Sequence, residues 1–156
     1  MAALSDFAEN KLIDWLLRAQ AIGITGASAA AGTGPTAVFV GLLTAAPSDT
    51  GGGTEVTGGS YARQSVTSAL ANWAGTQSAG STTASTGTGG TTSNNGTITF
   101  PAPTANWGVV THFGVYDAVT TGNLLWWAAL TVNKTINNGD AAPSFAAAAL
   151  TFQIDN

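Results

Sequence analysis

The stretch VVTHFGVYDAVTTGNLLWWAALTV, residues 109–132, decides the fold. Val, Tyr, Phe, Trp and Thr dominate its two ends, and these residues favour the pleated, half-buried surface of a strand. Between them DAVTTGN, residues 117–123, gathers the Gly, Asn and Asp residues that tolerate positive φ. Strands at 109–117 and 123–132 joined by such a turn read as an antiparallel hairpin or meander. Alternation puts His112, Gly114 and Tyr116 on one face and Phe113 with Val115 on the other. Adjacent Trp126 and Trp127 then point to opposite faces, so one enters the core and the other meets the helix, another sheet or another subunit.

Working outward, strand signals recur at TITF (97–100), before Pro101 and Pro103, and at FAAAALTFQID (145–155), after the turn formers NNGDAAP (137–143). Upstream, TAVFVGLL (36–43) reads as a buried strand, and YARQSVTS (61–68) as a short one after the loop SDTGGGTEVTGG (48–59). One segment has helical period: Leu4, Phe7, Ala8, Leu12, Trp15, Leu16 and Ala19 form an apolar stripe over about 4–20. Ser5 or Asp6 caps its start, Gly23 is its expected stop, and Asp14 with Arg18 forms an i, i+4 pair. A small-residue connection, ITGASAAAGTGP (24–35), follows. The expected fold is mainly β: a single antiparallel β-sandwich or jelly-roll-like domain spanning 1–156, with one N-terminal amphipathic helix packed on a sheet.

Composition narrows the function. The 156 residues are 44% hydrophobic and only 8% charged, against about 25% charged in an ordinary soluble domain. So few ionic groups suit a surface in permanent contact with neighbours, because obligate interfaces are depleted in charge. Four Lys and Arg against eight Asp and Glu give a net charge of −4, which leaves no basic stripe for nucleic acid. No stretch approaches the roughly 18 apolar residues of a membrane span, and MAALSDFAENK lacks the features of a secretory signal, so synthesis and folding in cytoplasm are expected. With no cysteine and a single histidine, thiolate chemistry and any site needing two imidazoles are excluded.

The motifs that invite chemistry fall short of it. His112 and Asp117 lack a GxSxG elbow or any other nucleophile context. Asp49 and Glu55 sit in a Gly-rich loop without the DxDxDG pattern of a calcium site or the GxxxxGK of a phosphate cradle, so a turn held by Asp side-chain bonds to backbone is expected there. No catalytic residue, cofactor or metal is therefore expected. Residues 74–97, AGTQSAGSTTASTGTGGTTSNNGT, carry no charge and too little apolar surface to order themselves. They read as an extended arm lying on a neighbouring subunit or as a loop ordered by its own domain. The candidate contact residues are Thr82, Thr83, Thr86 and Thr88 in that tract and the tryptophans Trp15, Trp107, Trp126 and Trp127.

Three segments taken together carry a resemblance: PTAVFVGLLTAAPSDTGGGTEVTGGSYARQSV (35–66), ITFPAPTANWGVVTHFGVYDAVTTGNLLWWAAL (98–130) and KTINNGD (134–140). The chain resembles a family of small virion structural proteins of tailed bacteriophages, labelled head decoration (cement) protein or phage tail fibre protein. The resemblance implies a non-enzymatic virion role. The expected function is a capsid decoration protein on the outer head surface that bridges major capsid subunits, with the major capsid protein and copies of itself as partners. The alternative is a tail-fibre or tail-tip component that binds host receptor or glycan through exposed aromatics such as Trp107 or Trp127.

Overall fold

The computed structural model describes residues 4–23 and 34–154. Most of the 24–35 connection lies outside the described residues. In chain order the elements are α1 (Asp6–Arg18), β1 (Ala37–Ala45), β2 (Thr54–Glu55), β3 (Gln64–Thr67), β4 (Thr91–Ser93), β5 (Ile98–Thr99), β6 (Gly108–Tyr116), β7 (Leu124–Ile136), β8 (Ser144–Phe145) and β9 (Thr151–Gln153). The mainly β, antiparallel reading with one N-terminal helix holds among the described residues. The chain divides into two compact units. One comprises the residues up to Ala37, Thr67–Thr97 and those from Phe145 onward; the other comprises Val38–Val66 and Ile98–Ser144.

The second unit is built on a sheet of order β2-β1-β6-β7, with β3 also pairing β1. β6 and β7 form the expected hairpin, with Gly114 opposite Trp127 and Val115 opposite Trp126. Asp117 closes its turn by accepting from the Asn123 backbone and side-chain N–H groups, each at 2.7 Å. β1 lies antiparallel to β6, and Gly41 faces Gly114. Val38, Val40, Leu42, Val110, Phe113 and Val115 are buried. The pairing of β7 slips between Val110 opposite Lys134 and His112 opposite Ala129. Four residues of β7, Leu130 to Asn133, thus oppose one of β6, a bulge that turns Val132 out to 78% exposure.

In the first unit α1 starts at Ser5, whose Oγ accepts from Ala8 N–H. It ends earlier than the sequence predicts: Ala19, at φ 54, takes the left-handed cap position, and its N–H returns to the Asp14 carbonyl, so Gly23 is not the stop. The buried face is also not the predicted stripe. Ile13 and Leu17 are buried alongside Glu9, Asp14 and Arg18, whereas Leu4 and Phe7 are 52% and 57% exposed. Trp73 packs edge-on against Phe152 at 5.5 Å and is fully buried.

Two predicted strands are shorter than expected. The 145–155 stretch breaks into β8 and β9 because Asn94 captures its middle: Asn94 Nδ2 donates to the Ala146 carbonyl, Oδ1 accepts from Leu150 N–H, and its backbone carbonyl accepts from Ala148 N–H. A buried Asn with these partners outcompetes a ladder for the same groups. The 61–68 strand shrinks to β3 because Ser60, at φ 65, and the Gly58 carbonyl bond to Tyr61 N–H turn the chain.

Candidate functional site

Tyr61, Arg63, Glu55 and Tyr116 form one cluster in the second unit. Glu55, in β2, accepts from Arg63 Nε at 2.8 Å and from Arg63 Nη2 at 2.7 Å, a two-pronged ion pair. Arg63 Nη1 donates to the Ala118 and Thr121 carbonyls, each at 2.8 Å, which pins the β6–β7 turn. The guanidinium lies 3.4 Å above the Tyr116 ring centroid. Beneath that ring are Gly41 and Gly114, paired across β1 and β6: a Cβ on Gly114 would stand 2.9 Å from Tyr116 Cε2, and one on Gly41 would stand 2.9 Å from Glu55 Oε1. The two glycines therefore make the floor on which the stack rests.

Tyr61 completes the cluster. Its hydroxyl donates to Glu55 Oε1 at 2.7 Å and accepts from Leu42 N–H at 2.9 Å. Burial and the Glu55 carboxylate push both phenols, Tyr61 and Tyr116, above their ordinary pKa. For Arg63, desolvation opposes the charge, but the hydrogen bonds and attraction of Glu55 outweigh it and raise its pKa. A cleft of about 350 Å³ opens beside the cluster, with Val56, Ala62 and the exposed Val119 as apolar wall and Thr57, Thr120 and Thr121 as polar rim. The polar heads of Tyr61, Glu55 and Arg63 are committed to holding the fold, so the cluster acts as a latch on the turn.

The exposed aromatic lies on the same sheet. Trp127 is 37% exposed and its ring centroid is 5.8 Å from that of His112, which Thr111 Oγ1 meets at 2.8 Å through Nδ1. Cross-strand register puts Trp127, Ala129, His112 and Gly114 on one face of the sheet.

The other predicted contact residues scatter. Trp107 is buried at 5% exposure, donates its indole N–H to the Gly59 carbonyl and meets Tyr61 edge-on at 5.4 Å; it is a core residue and offers no exposed face. Trp126 and Trp15 are half-buried. Thr82, Thr83, Thr86 and Thr88 are exposed, but the tract that bears them is held by the chain's own helix. Arg18, fully buried, pairs with Asp14 at 2.5 Å and donates to the Trp73 and Thr83 carbonyls and to Ser85 Oγ. Asp14 accepts from Ser85 N–H and Oγ, and Asn10 bridges to Thr76 and the Gly87 carbonyl. Residues 74–97 are thus tied to the helix of their own chain.

His112 and Asp117 have separate engagements, the first with Thr111 and Trp127, the second with Asn123. The loop at 48–51 is closed by Ser48, not by the expected Asp49: Ser48 Oγ donates to the Gly51 carbonyl. Sequence reasoning missed the role of Glu55 and Arg63. The signal was present in the distinctive GGSYAR, residues 58–63, whose Arg63 is one of only four cations in the chain.

Fold and site together define a β-rich protein with a latched β6–β7 turn and a partly exposed Trp127. Residues 3–153 match the family model described as podophage GP4 fiber I protein gp80, and the chain belongs to that family. It is a phage virion structural family under a fibre label. No curated protein matches the chain.

Proposed function

We propose that this chain is a component of the phage tail fibre that contacts the host surface, receptor or glycan, through the Trp127 face. Family membership under a fibre description supports the tail reading over the capsid decoration reading. The observation that carries the contact site is the partly exposed Trp127 beside His112, on one face of the β6–β7 hairpin. An indole with one accessible face packs against the apolar side of a sugar ring, while nearby donors and acceptors fix the ring's orientation. No catalytic role is assigned to any residue of this site.

Retention of the purified protein on host cells or host lipopolysaccharide tests the proposal. Wild type is expected to be retained, and Trp127→Ala is expected to fold normally and lose most retention. Equal retention of the two proteins contradicts the site. Failure of the wild type to be retained contradicts host contact itself.

A further inference from the structure

The cleft beside the Arg63 cluster is not consumed by the latch it borders. It holds about 350 Å³, against roughly 300–1,000 Å³ for small-molecule pockets. Its walls come from 55–63 and 119–121, both in the second unit. Arg63 Nη1 holds the carbonyls of Ala118 and Thr121, on either side of Val119 and Thr120, so that wall is set before any ligand arrives.

Charge selects the class of ligand. Glu55 and Arg63 are the only ionic groups lining the cleft, and they cancel. The acid is the more accessible of the two, its side chain 25% exposed against 8% for Arg63. A carboxylate offers about four acceptor sites. Tyr61 Oη, Arg63 Nε and Arg63 Nη2 fill three of them, which leaves one on Oε2. A ligand reaching the pair must therefore donate a hydrogen bond, and phosphates and carboxylates are turned away. A cationic ligand is opposed by Arg63, whose charge Glu55 already matches. A neutral hydroxyl meets both conditions. Around the pair, exposed Ala62 and Val119 supply apolar surface, and the exposed Thr57 and Thr120 hydroxyls donate or accept.

We propose that this cleft binds one ring of a neutral carbohydrate, with a ring hydroxyl donating to Glu55 and the C–H face of the ring packed on Ala62 and Val119. The site is separate from the Trp127 face. Amide chemical-shift mapping of the full chain tests it, with the methyl glycosides of glucose, galactose and mannose as probes and inorganic phosphate as the charged comparison, each to about 50 mM. The readout involves neither host cells nor Trp127, so its failure is distinct from failure of host contact. At least one glycoside is expected to shift the Thr57, Ala62, Val119 and Thr120 amides with a Kd of about 1–10 mM, while phosphate leaves them in place. Val119→Ser, which trims the apolar wall at an exposed position, is expected to keep the amide spectrum outside the cleft and weaken the glycoside at least about threefold. No shift with any of the three glycosides, phosphate shifting the same amides, or Val119→Ser binding as tightly as wild type overturns the proposal.

Discussion

Arg63 spends its donors on three segments at once: the Glu55 carboxylate, the Ala118 carbonyl and the Thr121 carbonyl, while its plane covers Tyr116. Its side chain is only 8% exposed, so the pair with Glu55 is largely shielded from solvent. Removing one partner of a shielded pair strands the other, and Arg63→Ala is expected to cost about 3 kcal/mol in a denaturant midpoint measurement. The two tyrosines of the chain both belong to this cluster. Because both folded phenols titrate above the ordinary value of 10.0, the folded state is fully favoured below that pH and loses stability as pH rises past it. Tyrosinate absorbance should stay low near pH 10 in native protein and rise there in denaturant. A native titration at the ordinary value would contradict the cluster. Asp117 behaves oppositely: the Asn123 hydrogen bonds lower its pKa below 3.8, so its support of the turn is present above that value and fades as pH falls through the lower folded one. A carboxyl-detected NMR titration of Asp117 reads this directly.

At the scale of elements, the helix explains what composition alone misjudges. By composition, residues 74–97 carry too little apolar surface to order themselves. What supplies the order is a buried salt bridge on α1, whose Asp14 and Arg18 receive the tract's hydroxyls, N–H groups and carbonyls. A pair at i, i+4 normally faces water, so its sequence spacing gave no hint that it is the docking point. For the same reason the buried face of α1 is rotated away from Leu4 and Phe7. Arg18→Ala is expected to destabilise the protein by about 3–5 kcal/mol and to raise hydrogen exchange across 74–97 first. Uniform exchange protection in the variant would contradict the docking. The hairpin of β6 and β7 was legible because turn chemistry and alternation agree there, as was the antiparallel class. β4 was hidden inside the Thr-rich tract, and the break at Ala146 to Ala149 was hidden because a buried Asn94 from another segment decides it. Of the site, alternation placed Trp127 opposite Trp126; the burial of Trp107 depends on Gly59 and Tyr61, which no local pattern reveals.

At the scale of the whole molecule, charge is scarce. Of four cations, Arg18 and Arg63 are bound in shielded pairs, and among the described residues the exposed ionic groups are Asp6, Asp49, Asp117, Lys134 and Asp140, scattered among Thr, Ser, Ala and a few apolar side chains. Such a surface makes contact through shape and aromatic anchors in preference to charge steering, so attachment to host cells should depend weakly on salt. Binding that collapses between low and moderate ionic strength would point to a different surface. The most direct test of the fibre assignment is immunogold labelling of intact particles with antibody raised against this chain. Gold at the tail fibres, with few copies per particle, is the expected result; gold distributed over the head at shell-like copy number would contradict it.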